Sequence, residues 1–161
     1  RRQRQMCIRD RACMAPQTAF YNLIGMETLG LRMERACSNA KALAEFLNTY
    51  PDITVNYPGL ACSPWHDVAD KVLANGYGAI LTIRVGSKER AFSIINNLSI
   101  PKIVSNIGDT KTLIIHPEST LNAHSTEKEK EDAGVFDNLI RISVGIEDIE
   151  DLIEDFKAAL A

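Results

Sequence analysis

The chain has 161 residues, 45% of them hydrophobic and 24% charged, with a formal net charge of −3. That length suits one domain that buries roughly 70% of its unfolded surface, and the composition excludes disordered and fibrous classes. Its apolar runs are only a few residues long, too short to span a bilayer, and no apolar core follows the basic start, so neither a membrane span nor a secretory leader is expected.

Charge is unevenly placed. Residues 1–11 hold five arginines and one aspartate, net +4, whereas the remaining 150 carry −7. A basic arm can grip nucleic acid through phosphates, but nothing downstream continues a basic or aromatic surface. Residues 1–11 are therefore read as a junction or tag-like arm, and residues 12–161 as the domain. Four cysteines (Cys7, Cys13, Cys37, Cys62) form no CxxC pair and are expected to be reduced thiols in a cytoplasmic protein.

From Pro16 apolar residues recur at threes and fours through Leu47, predicting one long helix, bent near Gly30 and ended before Pro51. ITVNYPGL (53–60) predicts a strand leaving into a turn. SPWHDVADKVLA (63–74) predicts a short helix with Ser63 as cap and Pro64 at its first position. AILTIRV (79–85) alternates, with Ala79, Leu81, Ile83 and Val85 on one face, and Ser87 then caps a helix over 88–98. PKIVSNI and KTLIIHP are two short strands joined through Gly108-Asp109. EKEKED (127–132) is a solvated, alternately charged helix or loop. LIRISV (139–144) closes the sheet, and helix 147–160 buries Ile149, Leu152, Ile153, Phe156 and Leu160. The sum is an α+β fold: a long N-terminal helix, then a small, mainly antiparallel sheet with helices on one face.

Chemistry-bearing residues are few. His66, His116, His124 and Cys62 lack paired ligand spacing, so no metal site is expected. No GxSxG is present, and SNIGDT has one glycine between strands, a weak phosphate cradle. Arg141 stands out, a cation in the middle of a predicted strand. Its planar fork suits an amino acid's carboxylate, each such bond contributing about 1.5–3 kcal/mol. Alternatively it lies on a wet sheet face and pairs with a surface glutamate. The residues alone leave both roles open.

The stretches MAPQTAFYNLIGMETLGLRMER, VNYPGL, GAILTIRV, SNIGDTKTLIIHPEST and AGVFDNLIRISVGIEDIEDLIEDF, in that order, closely resemble the C-terminal part of the pyridoxal-phosphate enzymes of cysteine and methionine metabolism. That family includes cystathionine γ-synthase and γ-lyase, methionine γ-lyase and O-acetylhomoserine sulfhydrylase. NIGDTKTLIIHP looks most like the sulfhydrylase branch, which makes homocysteine or methionine from O-acetylhomoserine and sulfide or a thiol. The resemblance implies a C-terminal small domain of a fold-type I enzyme in which Arg141 binds the substrate α-carboxylate. It implies Thr112 beside that carboxylate, Lys111 where γ-lyases usually carry glutamate or another selectivity residue, and Asn106 in the pocket loop.

It also implies a homotetramer for the full enzyme, a small-molecule amino-acid substrate, no nucleic-acid or membrane partner, and pyridoxal 5′-phosphate as cofactor. HPEST departs from the usual HPAST, LNAH from a Thr-Thr-His pattern, and MAP from SP. The family's Schiff-base lysine, pyridine-nitrogen aspartate and phosphate loop have no counterpart here. The resemblance therefore implies that a missing large domain binds the cofactor, that no residue of this chain is catalytic, and that the chain alone is inert. The competing class is a free-standing amino-acid-binding domain, which Arg141 would serve equally well.

Overall fold

The alternation in AILTIRV and LIRISV makes strands with one wholly apolar side, and that side organises the molecule. The computed structural model describes residues 14–161, so the basic arm, Cys7 and Cys13 lie outside the described residues. The chain forms two compact units that divide after Arg32. The first contains α1 (Pro16–Glu27), which begins at Pro16 as expected, buries none of its residues, and leaves Phe20, Tyr21, Leu23 and Met26 exposed. The long helix expected to bend near Gly30 is interrupted two residues before it: Thr28 takes φ −105° and ψ 6°, and α2 (Leu29–Leu47) starts one residue later.

In the second unit α2 buries Ala36, Asn39, Ala40, Leu43, Ala44 and Leu47. It is followed by β1 (Thr54–Asn56), α3 (His66–Val72), β2 (Ile80–Arg84), α4 (Lys88–Asn97), β3 (Lys102–Ile103), β4 (Leu113–Ile115), α5 (Glu127–Asp132), β5 (Leu139–Ser143) and α6 (Ile149–Leu160). Ser63 does not cap α3. Its Oγ accepts the Trp65 N–H at 3.3 Å and its carbonyl the His66 N–H at 3.1 Å, so residues 63–66 spend their polar groups on a turn before the helix begins. Ser87 does cap α4, its Oγ accepting the Arg90 N–H at 3.2 Å. Asp148 caps α6 through the Glu150 N–H at 2.9 Å.

The sheet runs β1-β2-β5-β4-β3, antiparallel except for β3 against β4, which are parallel. Leu81, Ile83, Ile114, Ile140 and Ile142 point from it into a core closed by Leu43 and Leu47 of α2, Ile94 of α4, and Leu152 and Phe156 of α6. Each such side chain contributes about 1.5–3 kcal/mol by leaving water. Asp155 of α6 accepts the Ser99 and Ile100 N–H groups at 3.1 and 2.9 Å, tying the end of α4 to α6. The architecture is the expected α+β arrangement, helices on one face of a small, mainly antiparallel sheet.

The parallel pair has a positional consequence. A parallel partner cannot be reached by a tight hairpin, because the chain must travel back the length of the strand first. Residues 104–112 make that return.

Candidate functional site

Arg141 is the third residue of β5, with Thr82 of β2 opposite on one side and Ile115 of β4 on the other. Both neighbours are uncharged, so no cross-strand carboxylate neutralises it. Its Nη2 donates to the Ser105 carbonyl at 2.6 Å, while Nε is buried with no acceptor among the described residues. An unsatisfied buried donor costs about 1–3 kcal/mol, more beside a charge. Neither ion pairing nor packing explains such an arrangement.

The return loop lies against this guanidinium. Ser105, Asn106, Ile107, Gly108, Asp109 and Arg141 line a cavity of about 520 Å³. Gly108 takes φ +78°, a left-handed turn that favours glycine, and its N–H donates to the Ser143 Oγ at 3.2 Å, two residues along β5 from Arg141. Asp109 accepts the Lys111 N–H at 3.0 Å, and that bond holds its carboxyl below the usual carboxylate range.

Of the residues singled out from the sequence, Arg141 and Asn106 share this cavity, and Lys111 and Thr112 do not line it. Lys111 is exposed beyond the loop. Thr112 is fully buried: its N–H and Oγ donate to the Glu147 carboxylate at 2.6 and 2.9 Å, and its Oγ accepts the Gly145 N–H at 2.9 Å. Asn39 of α2 donates to the Gly145 and Glu147 carbonyls at 3.1 and 2.8 Å. Glu147, just before α6, thus turns back to anchor the loop. A Cβ on Gly145 would fall on the Thr110 and Lys111 backbone and the Glu147 carboxylate, so the two segments meet only because residue 145 has no side chain. Ser105, whose carbonyl orients Arg141, carried no signal of its own in the sequence, since any residue supplies a carbonyl.

On its other side Arg141 borders a second cavity of about 380 Å³, on the sheet face away from the helices, which Arg84 also lines. The histidines have structural partners. His116 is 3% exposed; its Nε2 donates to the Asp137 carbonyl at 2.7 Å, so Nδ1 accepts from Ser119 at 2.8 Å. His66 Nδ1 meets the Pro58 carbonyl at 2.8 Å, and Cys62 reaches Asn48 rather than His66. Among the described residues no three His, Cys, Asp or Glu side chains gather as a metal set.

Comparison with known proteins bears on this site. The family described as "Cys/Met metabolism PLP-dependent enzyme" matches residues 4–161. The L-methionine gamma-lyase of Fusobacterium nucleatum subsp. polymorphum is 42% identical over 151 residues, 92% of this chain and 38% of that protein. The homocysteine synthase of Schizosaccharomyces pombe is 44% identical over 147 residues, 90% of this chain and 34% of that one. A crystal structure of a putative O-acetylhomoserine (thiol)-lyase from Campylobacter jejuni superposes with a TM-score of 0.87 at 40% identity, covering 92% of this chain and 36% of that one. It carries a pyridoxyl-lysine monophosphate. The chain therefore spans little more than a third of the relatives it matches.

Residues for that cofactor are not gathered here. No lysine lines either cavity bordered by Arg141. Lys130, which lines a third, is held by Glu118 and Glu127 at 2.6 and 3.0 Å, with Glu131 and Asp137 on the same wall. An amine so paired is protonated and cannot attack an aldehyde, and the acidic wall repels phosphate. None of these three cavities fits pyridoxal phosphate.

Proposed function

Since the chain belongs to the PLP-dependent enzymes of cysteine and methionine metabolism, we propose that it is the carboxylate-binding part of an O-acetylhomoserine sulfhydrylase-type enzyme. That enzyme replaces the acetate of O-acetylhomoserine with sulfide or a thiol, giving homocysteine or methionine. A further part of the protein holds the cofactor, and this chain alone turns nothing over. The observation that carries the reading is Arg141, a strand-borne guanidinium with a buried, acceptorless Nε beside a cavity.

The chemistry assigned to this chain is positional. Arg141 takes the α-carboxylate as a charge-assisted, forked pair, and the Ser105 carbonyl keeps the guanidinium from rotating away. Asn106 meets the substrate from the return loop. Thr112 serves from behind, fastening that loop to Glu147, and Lys111 stands at the selectivity position. A substrate held at one end presents its reacting carbon in one orientation, which removes several kcal/mol of entropic barrier. We place this enzyme in the cytoplasm as a homotetramer. No helix among the described residues is long and apolar enough to cross a membrane.

Arg141→Ala in the complete enzyme tests the reading. Two charge-assisted hydrogen bonds lost together correspond to a fall in kcat/KM of roughly a hundredfold to ten-thousandfold, seen mainly as raised KM. Unchanged kinetics would remove Arg141 from substrate binding. The γ-lyase alternative has one observation in its favour, the 42% identity to the Fusobacterium protein. Assaying the same preparation for release of 2-oxobutanoate from methionine separates the two.

A further inference from the structure

We propose that the cavity on the open sheet face binds a small dicarboxylate, with one acid group on Arg141 and the second on Arg84. The proposal rests on the reading of Arg141 as a carboxylate-binding guanidinium; because Arg141 borders both cavities, the dicarboxylate and the amino-acid substrate compete for it.

Register places the two arginines together. Thr82 pairs with Arg141 and Arg84 with Leu139, so Arg84 and Arg141 lie on one face of adjacent strands, diagonally displaced by two residues. Such positions have Cα atoms about 7–8 Å apart. Both side chains line the cavity of about 380 Å³, whose other walls are uncharged residues, Thr54, Asn56 and Asn122 among them. Two positive charges without a counter-charge in one concavity are unexpected in a chain of net charge −3. Low-dielectric walls concentrate their field and raise the local concentration of anions.

Arg84 is prepared for a ligand rather than spent on the protein. Its guanidinium carbon stacks 3.8 Å from the Phe136 ring centroid, and its Nε donates to Asn138 Oδ1 at 3.4 Å. These contacts set the plane of the fork and strip water from one of its faces, leaving the terminal amines as donors. Among the described residues neither Arg84 nor Arg141 makes an ion pair. The cavity beneath the return loop offers no equivalent place for a second acid, because Asp109 lines it as a carboxylate.

The test is titration calorimetry of the 161-residue chain with glutarate and with butyrate, which share one carboxylate and differ in the second. Glutarate is expected to bind at least tenfold more tightly. Arg84→Gln should reduce glutarate to the butyrate level and leave butyrate unchanged, while Arg84→Lys retains part of the preference. Arg141→Gln should abolish butyrate binding. Thermal unfolding of each variant, recorded alongside, shows that the fold is kept. If the unaltered chain binds both acids equally and Arg141→Gln abolishes both, the Arg84 arm is wrong and the Arg141 site stands. A glutarate preference that survives Arg84→Gln, or no binding of either acid, overturns the proposal. The kinetics of Arg141→Ala in the complete enzyme judge the carboxylate reading separately.

Discussion

The two faces of the sheet use the same strands for opposite purposes. On the helix side, Ile83, Ile114, Ile140 and Ile142 are completely buried against α2, α4 and α6. On the other side, the partners of the same peptide units are Thr82, Arg84 and Arg141, bordered by loops instead of helices. Period-two alternation makes this division available to any strand. Here the closed face carries stability, and the open face carries a charge whose cost the closed face must offset. The difference teaches that Arg141 owes its place in the strand to the apolar residues on either side of it, Ile140 and Ile142, while the Ser105 carbonyl orients its guanidinium.

That division can be broken first from the closed side. Phe156→Ala empties the largest site on α6 and should cost about 3–5 kcal/mol, read by urea unfolding. A loss below 1 kcal/mol would mean that α6 is not what covers the sheet.

Glu118 tests the border between the faces. It lies 2.6 Å from Lys130 Nζ and 2.8 Å from Lys88 Nζ, linking α5 to the start of α4, and these bonds hold its carboxyl at about 2, below the ordinary 4.5. A carboxyl lowered on folding stabilises fully above its unfolded value and loses that contribution as pH falls towards the folded one. Stability should therefore decline between pH 4.5 and 2. Glu118→Gln should cost about 1–3 kcal/mol at neutral pH and flatten that acid decline in thermal unfolding. An unaltered pH profile would show that the lysines are held otherwise.

The smallest effect on stability is expected at the open face. Arg141→Leu removes a buried unsatisfied donor and should leave the melting temperature unchanged or slightly raised while abolishing carboxylate binding. A clear fall in melting temperature would show that the guanidinium supports the fold.

Much of this was legible in local pattern. The alternation about Arg141 fixed which strand residues enter the core, and Ser87 announced the start of α4 because a cap acts within one turn. What escaped depends on distant segments. Ser63 looks like a cap until the turn before α3 claims it. Lys130, in a run that reads as solvated, is only 12% exposed because Glu118 draws it in from twelve residues away. That same Glu118 is the residue by which HPEST departs from HPAST, and its two lysines account for the departure. Asn106 could be placed in a pocket loop through the resemblance. The parallel pairing that sends the loop across Arg141, and the hold of Glu147 on Thr112, are long-range choices without a local sign.

The order of the strands bears on how the chain assembles. β5 is the latest strand in sequence, yet it occupies the middle of the sheet, between β2 and β4. Until it is in place, β1 with β2 and β3 with β4 are separate ribbons, each presenting an unpaired edge. Two-stranded pieces are marginal in water, and exposed edges invite pairing with other chains. Sheet closure during synthesis must therefore wait for residues 139–143, and Arg141 reaches its position in the same event that joins the two halves.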